Sequence, residues 1–109
     1  MRVLAVTLLP AILCACSVTL PVRGSVDTTG ETFTGTATGR LDRSGTLTLV
    51  SSKGVTCRGD FVYVNSRQGN GTVVCDDKRA GPFDFNSTGS RGTGVARLGR
   101  DTAVFTFGD

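Results

Sequence analysis

The sequence predicts one small all-β domain, an antiparallel β-meander of about seven strands that closes as a barrel or folds as a sandwich. Three observations carry this expectation. After Cys16 no stretch repeats apolar residues at three-to-four spacing, so no amphipathic helix is encoded. All 15 glycines lie in that same part among many threonines and serines; threonine suits a pleated strand and glycine punctuates strands with turns. Short runs of alternating apolar and polar residues recur between turn clusters at close, regular intervals.

The chain opens with Met1-Arg2 and an apolar run from Val3 to Leu13, the charged start and apolar middle of a secretory signal peptide. Eleven residues are too few for a spanning helix, which needs about twenty. Leu13-Cys14-Ala15-Cys16 resembles the bacterial lipobox, in which a leucine and a small residue precede an acylated cysteine. The resemblance implies that residues 1–15 are removed and that Cys16 becomes a lipidated N-terminus. Cys14 fits less well, because Leu13 and not a small residue stands directly before it. Ser17 at the second mature position, rather than Asp, implies export to the outer membrane of a Gram-negative envelope, facing the periplasm.

Removal of residues 1–15 leaves 94 residues, enough for one compact domain, and loss of Arg2 lowers the net charge from +3 to +2. Residues 16–30 hold Pro21, two glycines and little periodicity, and read as a flexible tether; the folded domain is expected over 31–109. Thr32 to Thr38 is the first expected strand. Thr46 to Ser51 follows the turn Asp42-Arg43-Ser44-Gly45, with Leu47 and Leu49 on one face. Val55 to Cys57 precedes Asp60 to Val64, where Phe61 and Tyr63 point one way and Val62 and Val64 the other, as in a central strand. Asn70-Gly71 reads as a turn pair leading to Thr72–Cys75. Pro82 to Asn86 sets Phe83 and Phe85 on one face, and the pair Thr93–Leu98 and Thr102–Phe107 ends the domain with Phe105 and Phe107 together.

With Cys14 cut away and Cys16 lipidated, Cys57 and Cys75 remain as a pair in an oxidising compartment, and a disulfide is the natural assignment. Closing that loop stabilises a small core by about 3 kcal/mol. A reactive thiol is disfavoured because the chain has no histidine to activate it.

Gly59-Asp60-Phe61-Val62-Tyr63 recurs 22 residues later as Gly81-Pro82-Phe83-Asp84-Phe85, and Gly69-Asn70-Gly71 recurs after 23 as Gly92-Thr93-Gly94, a period that fits one hairpin per unit. The pattern is weakly similar to the MORN repeat, whose tyrosines are mostly missing here. From Gly54 to Gly108 the chain more closely resembles a group of small glycine-rich bacterial lipoproteins. The resemblance is carried by Cys57, Gly59-Asp60-Phe61, Gly69-Asn70-Gly71, Cys75, Gly81-Pro82-Phe83, Ser87-Thr88-Gly89 and Phe105-Thr106-Phe107-Gly108. It implies the envelope address and a β-domain, and no activity.

Absence of histidine excludes Ser-His-Asp and Cys-His catalysis and the usual zinc ligand sets. Asp60, Asp76, Asp77 and Asp84 are the carboxylates nearest the expected hairpins, but aspartate at a turn bonds the local backbone, so neither a glycosidase pair nor a calcium site at Asp76-Asp77 is expected. Lys78-Arg79 and the trio Arg91, Arg97 and Arg100 read as solvated turn charges rather than a nucleic-acid face. Arg58-Gly59-Asp60 and the acceptor-like Asn70-Gly71-Thr72 and Asn86-Ser87-Thr88 read as local turn chemistry. No catalytic residue, cofactor or metal is expected.

The expected function is therefore that of a lipid-anchored, non-enzymatic envelope protein of structural or adaptor type, contacting a protein partner through exposed strand edges. The alternative is a periplasmic binding or inhibitor module acting on a soluble partner, such as a cell-wall enzyme, through the loop Ser66 to Asn70. Mass spectrometry of the mature N-terminus checks the address: a diacylglyceryl thioether on Cys16 is the expected result, and an unmodified cysteine refutes it.

Overall fold

The computed structural model describes residues 17–108. Eight strands follow one another: β1 (Ser17–Val26), β2 (Thr32–Arg40), β3 (Ser44–Ser51), β4 (Thr56–Tyr63), β5 (Gln68–Cys75), β6 (Ala80–Thr88), β7 (Arg91–Leu98) and β8 (Asp101–Phe107). Each pairs antiparallel with the next, and β1 pairs with β8 from Val22↔Phe107 to Val26↔Ala103, which closes the sheet into a barrel. Closure decides between the barrel and the sandwich. It also leaves Ser17–Pro21, which pair with β2 alone, as the stretch of free edge in β1, so little remains of the edges expected as a contact surface.

Residues 17–26, expected as part of a tether over 16–30, instead form β1. Their inward positions are Leu20, Val22, Gly24 and Val26, a period-two pattern that the glycine thins out. Pro21 is accommodated because β8 pairing begins only at Val22. Its carbonyl accepts from Gly108 N (2.9 Å) beyond the end of that ladder, and the missing N–H on the same side forfeits no ladder bond.

Two further expectations change. Val55–Cys57 and Asp60–Val64 belong to one strand, β4, whose outward Val62 is 49% exposed: the barrel covers only the inner face. Asn70-Gly71 lies within β5, and the turn falls before Gln68, where Asn65 Oδ1 accepts from Arg67 N (2.9 Å) and Gln68 N (2.8 Å). Gly71 is there because a Cβ on its inward side would run into the β4 backbone at Asp60 and Phe61.

The repeat has the same cause. On β4, β6 and β8 the inward positions near one end of the barrel carry Phe61/Tyr63, Phe83/Phe85 and Phe105/Phe107. Each set lies over glycines of the preceding strand: Phe61 over Gly45, Phe85 over Gly69, Phe107 over Gly92, Phe105 over Gly94. A Cβ at Gly94 would stand 2.6 Å from Phe105 Cζ, closer than any side chain tolerates. The rings then meet one another edge-to-face, Tyr63 to Phe85 at 5.2 Å, Phe61 to Phe85 at 5.3 Å and Phe85 to Phe107 at 5.7 Å, the geometry aromatic quadrupoles prefer. Strand β2 breaks the rule: beyond Phe33 its inward positions are Gly35, Ala37 and Gly39, with no ring.

Outward positions carry Thr34, Thr36, Thr48, Arg58, Asp60, Thr72, Asp84 and Arg97 among scattered valines, a water-facing wall rather than an apolar belt. Gly69→Ala and Gly92→Ala force a Cβ into a ring and are expected to cost about 1–3 kcal/mol each. Gly39→Ala, where a Cβ meets nothing within 4 Å, is expected to leave stability unchanged or slightly raised. Urea melts of the three variants check the contrast.

Candidate functional site: a closed floor and an open cup

The two ends of the barrel differ in chemistry. The turns β1–β2, β3–β4, β5–β6 and β7–β8 gather at one end, where Glu31 is buried with its side chain 0% exposed. Arg79, from the β5–β6 turn, grips that carboxylate with both ends of its fork, Nη1 donating to Oε1 (2.7 Å) and Nη2 to Oε2 (2.9 Å). Arg79 also donates from Nε to Asp77 Oδ2 (2.9 Å) and from Nη1 to Asp101 Oδ2 (3.2 Å), so two turns and the head of β8 are tied to one guanidinium. The Arg79 hydrogen bonds hold the Glu31 carboxyl below the usual glutamate range against the opposing effect of burial, with the Ser51 hydroxyl helping; the Arg79 pKa rises in turn. Cys57 and Cys75 stand directly opposite on β4 and β5, near this end, and are disulfide-bonded with Cα atoms 3.9 Å apart. Val26, Phe33, Leu49, Leu98 and Ala103 fill the barrel above the cluster, leaving a void of only about 20 Å³.

The other half is hollow. A cavity of about 430 Å³ opens at the end where β1 begins and the β2–β3, β4–β5 and β6–β7 turns lie. Its floor is Leu47, Phe83 and Phe105. Phe61, Tyr63, Phe85 and Phe107 form one wall; Leu20, Val22, Ala37 and Gly39 form the other. Ser17, Val18, Arg40, Leu41, Gly89 and Ser90 ring the mouth. The hollow faces the ringless part of β2, so it exists because the aromatic pattern is interrupted there. Among the described residues no carboxylate lines the cup, and its polar groups are the Tyr63 phenol, the Arg40 guanidinium and two serines at the rim.

The residues singled out from sequence do not converge on the cup. Cys16 lies outside the described residues. Asp60 and Asp84 face outward on β4 and β6, while Asp76 and Asp77 sit in the β5–β6 turn at the closed end, Asp77 already paired with Arg79. No group of three His, Cys, Asp or Glu side chains among the described residues is placed to hold a metal. Arg58-Gly59-Asp60 is mid-strand, with its two charged residues exposed. Lys78 and Arg100 lie in turns at the closed end, Arg97 on the outer wall and Arg91 at the open rim, so they form no common strip. The Ser66 to Asn70 stretch is largely strand β5. Glu31 and Arg79 were not legible as a pair, being 48 residues apart with no motif between them.

No family model and no curated protein matches the chain. Among solved structures it is similar to a redesigned beta barrel, mFAP1, bound to DFHBI. The TM-score is 0.68 at 12% identity, and the match covers 84% of this chain and 92% of that one. The likeness establishes the barrel fold.

Because the Glu31 pKa is lowered in the fold, its contribution is fully present above the ordinary glutamate value of about 4.3 and is lost as pH falls through the lower folded value. Glu31→Gln is expected to cost about 3 kcal/mol at neutral pH, the low end for a broken buried pair since Arg79 keeps Asp77 and Asp101. The gap between wild type and variant should narrow below about pH 4. Chemical denaturation across pH 3–7 measures it.

Proposed function

We propose that this is a lipid-anchored, non-enzymatic envelope protein whose barrel holds one apolar or amphipathic small molecule in its open cup. The carrying observation is the cavity itself. About 430 Å³ lies within the range of ligand pockets, and an eight-stranded barrel is the size at which the interior can hold a single small ligand. The lining is aliphatic and aromatic to its floor, with the one cation, Arg40, at the mouth. That arrangement suits a chain or ring buried in the cup and an anionic head left at the rim beside Arg40. The solved barrel to which the chain is similar is bound to DFHBI, which supports the use of this fold as a binding cup. Anchoring through Cys16 remains part of the proposal, carried by the lipobox resemblance. The guest-holding reading is preferred to the edge-contact adaptor because closure leaves only the short Ser17–Pro21 stretch of β1 without a second strand partner.

Gly39→Phe supplies the ring that β2 lacks, at a position open to the cavity. It is expected to lower the affinity for a fluorescent fatty-acid probe at least tenfold while the protein stays folded. Arg40→Gln should weaken binding of the acid about fivefold and leave the corresponding alcohol unaffected, the loss of one partly solvated charge interaction. Equal binding by wild type and Gly39→Phe would remove the cup as the site.

A further inference from the structure

We infer that the open rim of the barrel seats on an anionic lipid surface with the mouth of the cup facing the bilayer. Three observations meet at that rim. The two most exposed large apolar side chains among the described residues are there, Leu41 in the β2–β3 turn at 82% and Val18 at the start of β1 at 62%, joined by Val64 in the β4–β5 turn at 58%. Four exposed arginines surround them, Arg40, Arg43, Arg67 and Arg91, and among the described residues none forms a salt bridge. The acid in the same turns is Asp42, whose carboxylate is engaged by the Ser44 hydroxyl (2.6 Å) and backbone N–H (3.0 Å).

The closed end has the opposite character. Its turns and the head of β8 mix Asp27, Asp76, Asp77 and Asp101 with Lys53, Lys78, Arg79 and Arg100; the turns expose no large apolar side chain, and the exposed Val50 and Val74 lie on the adjoining strands β3 and β5 among mixed charge. Basic charge with protruding apolar tips is the combination that adsorbs to anionic headgroups, the tips entering the interface and each arginine adding electrostatic attraction. The outer wall, rich in threonine and charge, has no such combination.

Chain connectivity points the same way. Ser17 is already in β1 at this rim, so Cys16 is one peptide unit, about 3.8 Å, from the mouth. With acyl chains on Cys16 and no tether to act as a spacer, the barrel sits against the membrane by its open end. A guest then passes between bilayer and cup without crossing water.

The test uses the anchored protein in vesicles of zwitterionic lipid with 30% anionic lipid and a lipid-borne quencher. A fluorophore is placed by Ser66→Cys at the rim or by Lys53→Cys at the closed end. The rim label is expected to be quenched several-fold more strongly than the closed-end label. Arg40→Glu, Arg43→Glu and Arg67→Glu together should lower rim quenching several-fold, to the level the Cys16 anchor alone sustains, at about fivefold in docked-to-undocked ratio for each arginine lost. Vesicles without anionic lipid should give the same loss. Equal quenching of the two labels, or rim quenching indifferent to both changes, overturns the docking. The Gly39→Phe background separates this inference from the cup: filling the cup abolishes probe binding and must leave rim quenching as it was.

Discussion

The packing of aromatic rings onto glycine fixes the rest of this structure. An eight-stranded barrel has a narrow interior, and Phe61, Phe85, Phe105 and Phe107 on β4, β6 and β8 fit only because the strand before each presents backbone without a side chain at the point of contact. Where Phe61 leans toward β3 it meets Gly45; where Phe85 leans toward β5 it meets Gly69. Glycine in a strand interior ordinarily weakens it, by entropy and by loss of packing. Here the neighbouring ring supplies the packing that the glycine lacks, and it also fixes register, since a slip by one residue would send the ring outside and bring a threonine in.

The two ends follow from where that packing stops. At the closed end rings give way to branched aliphatics, and the turns are drawn together by one guanidinium holding three carboxylates. A buried carboxylate is tolerated there because the bidentate fork replaces its water. At the open end nothing comparable spans the mouth. The turns keep their polar groups satisfied locally, as Asp42 and Asn65 do with their own backbones, and so remain separate from one another. A cup with a fastened base and an unfastened rim is the outcome.

How much of this could be read in the sequence depended on whether a signal was local. The strands carrying phenylalanine pairs were legible because Phe83/Phe85 and Phe105/Phe107 alternate cleanly, whereas the register that sets Cys57 directly opposite Cys75 is a property of the paired strands. β1 was missed because Pro21 and Gly24 look like linker residues until one knows where β8 ends. Asn70-Gly71 was misread because the same dipeptide serves a tight turn or a close approach of two strands, and only the β4 backbone at Asp60 and Phe61 decides between them. The cup was invisible for a related reason. A cavity is an absence, and Gly35-x-Ala37-x-Gly39 becomes informative only beside strands that carry rings at the equivalent inward face. The Glu31–Arg79 pair joins turns that closure alone brings together.

The hollow also has an energetic meaning. Replacing a buried large side chain by a small one costs several kcal/mol, mostly through the void it leaves, and a domain of fewer than a hundred residues has a total stability of only about 5–15 kcal/mol. The remedy is chemically near at hand, because a Cβ at Gly39 meets open space and a larger side chain would follow it into the cup. The other three even-numbered strands carry rings at this end, whereas the ring of β2, Phe33, lies at the closed end. Meanwhile a disulfide and a buried ion cluster reinforce the opposite end. A barrel serving only as a spacer gains nothing from a void placed at its mouth, whereas a barrel that binds needs it there. On the proposed binding function, the strengthened floor and the unfilled wall are two sides of one compromise: stability concentrated at one end so that the other can stay empty for a guest.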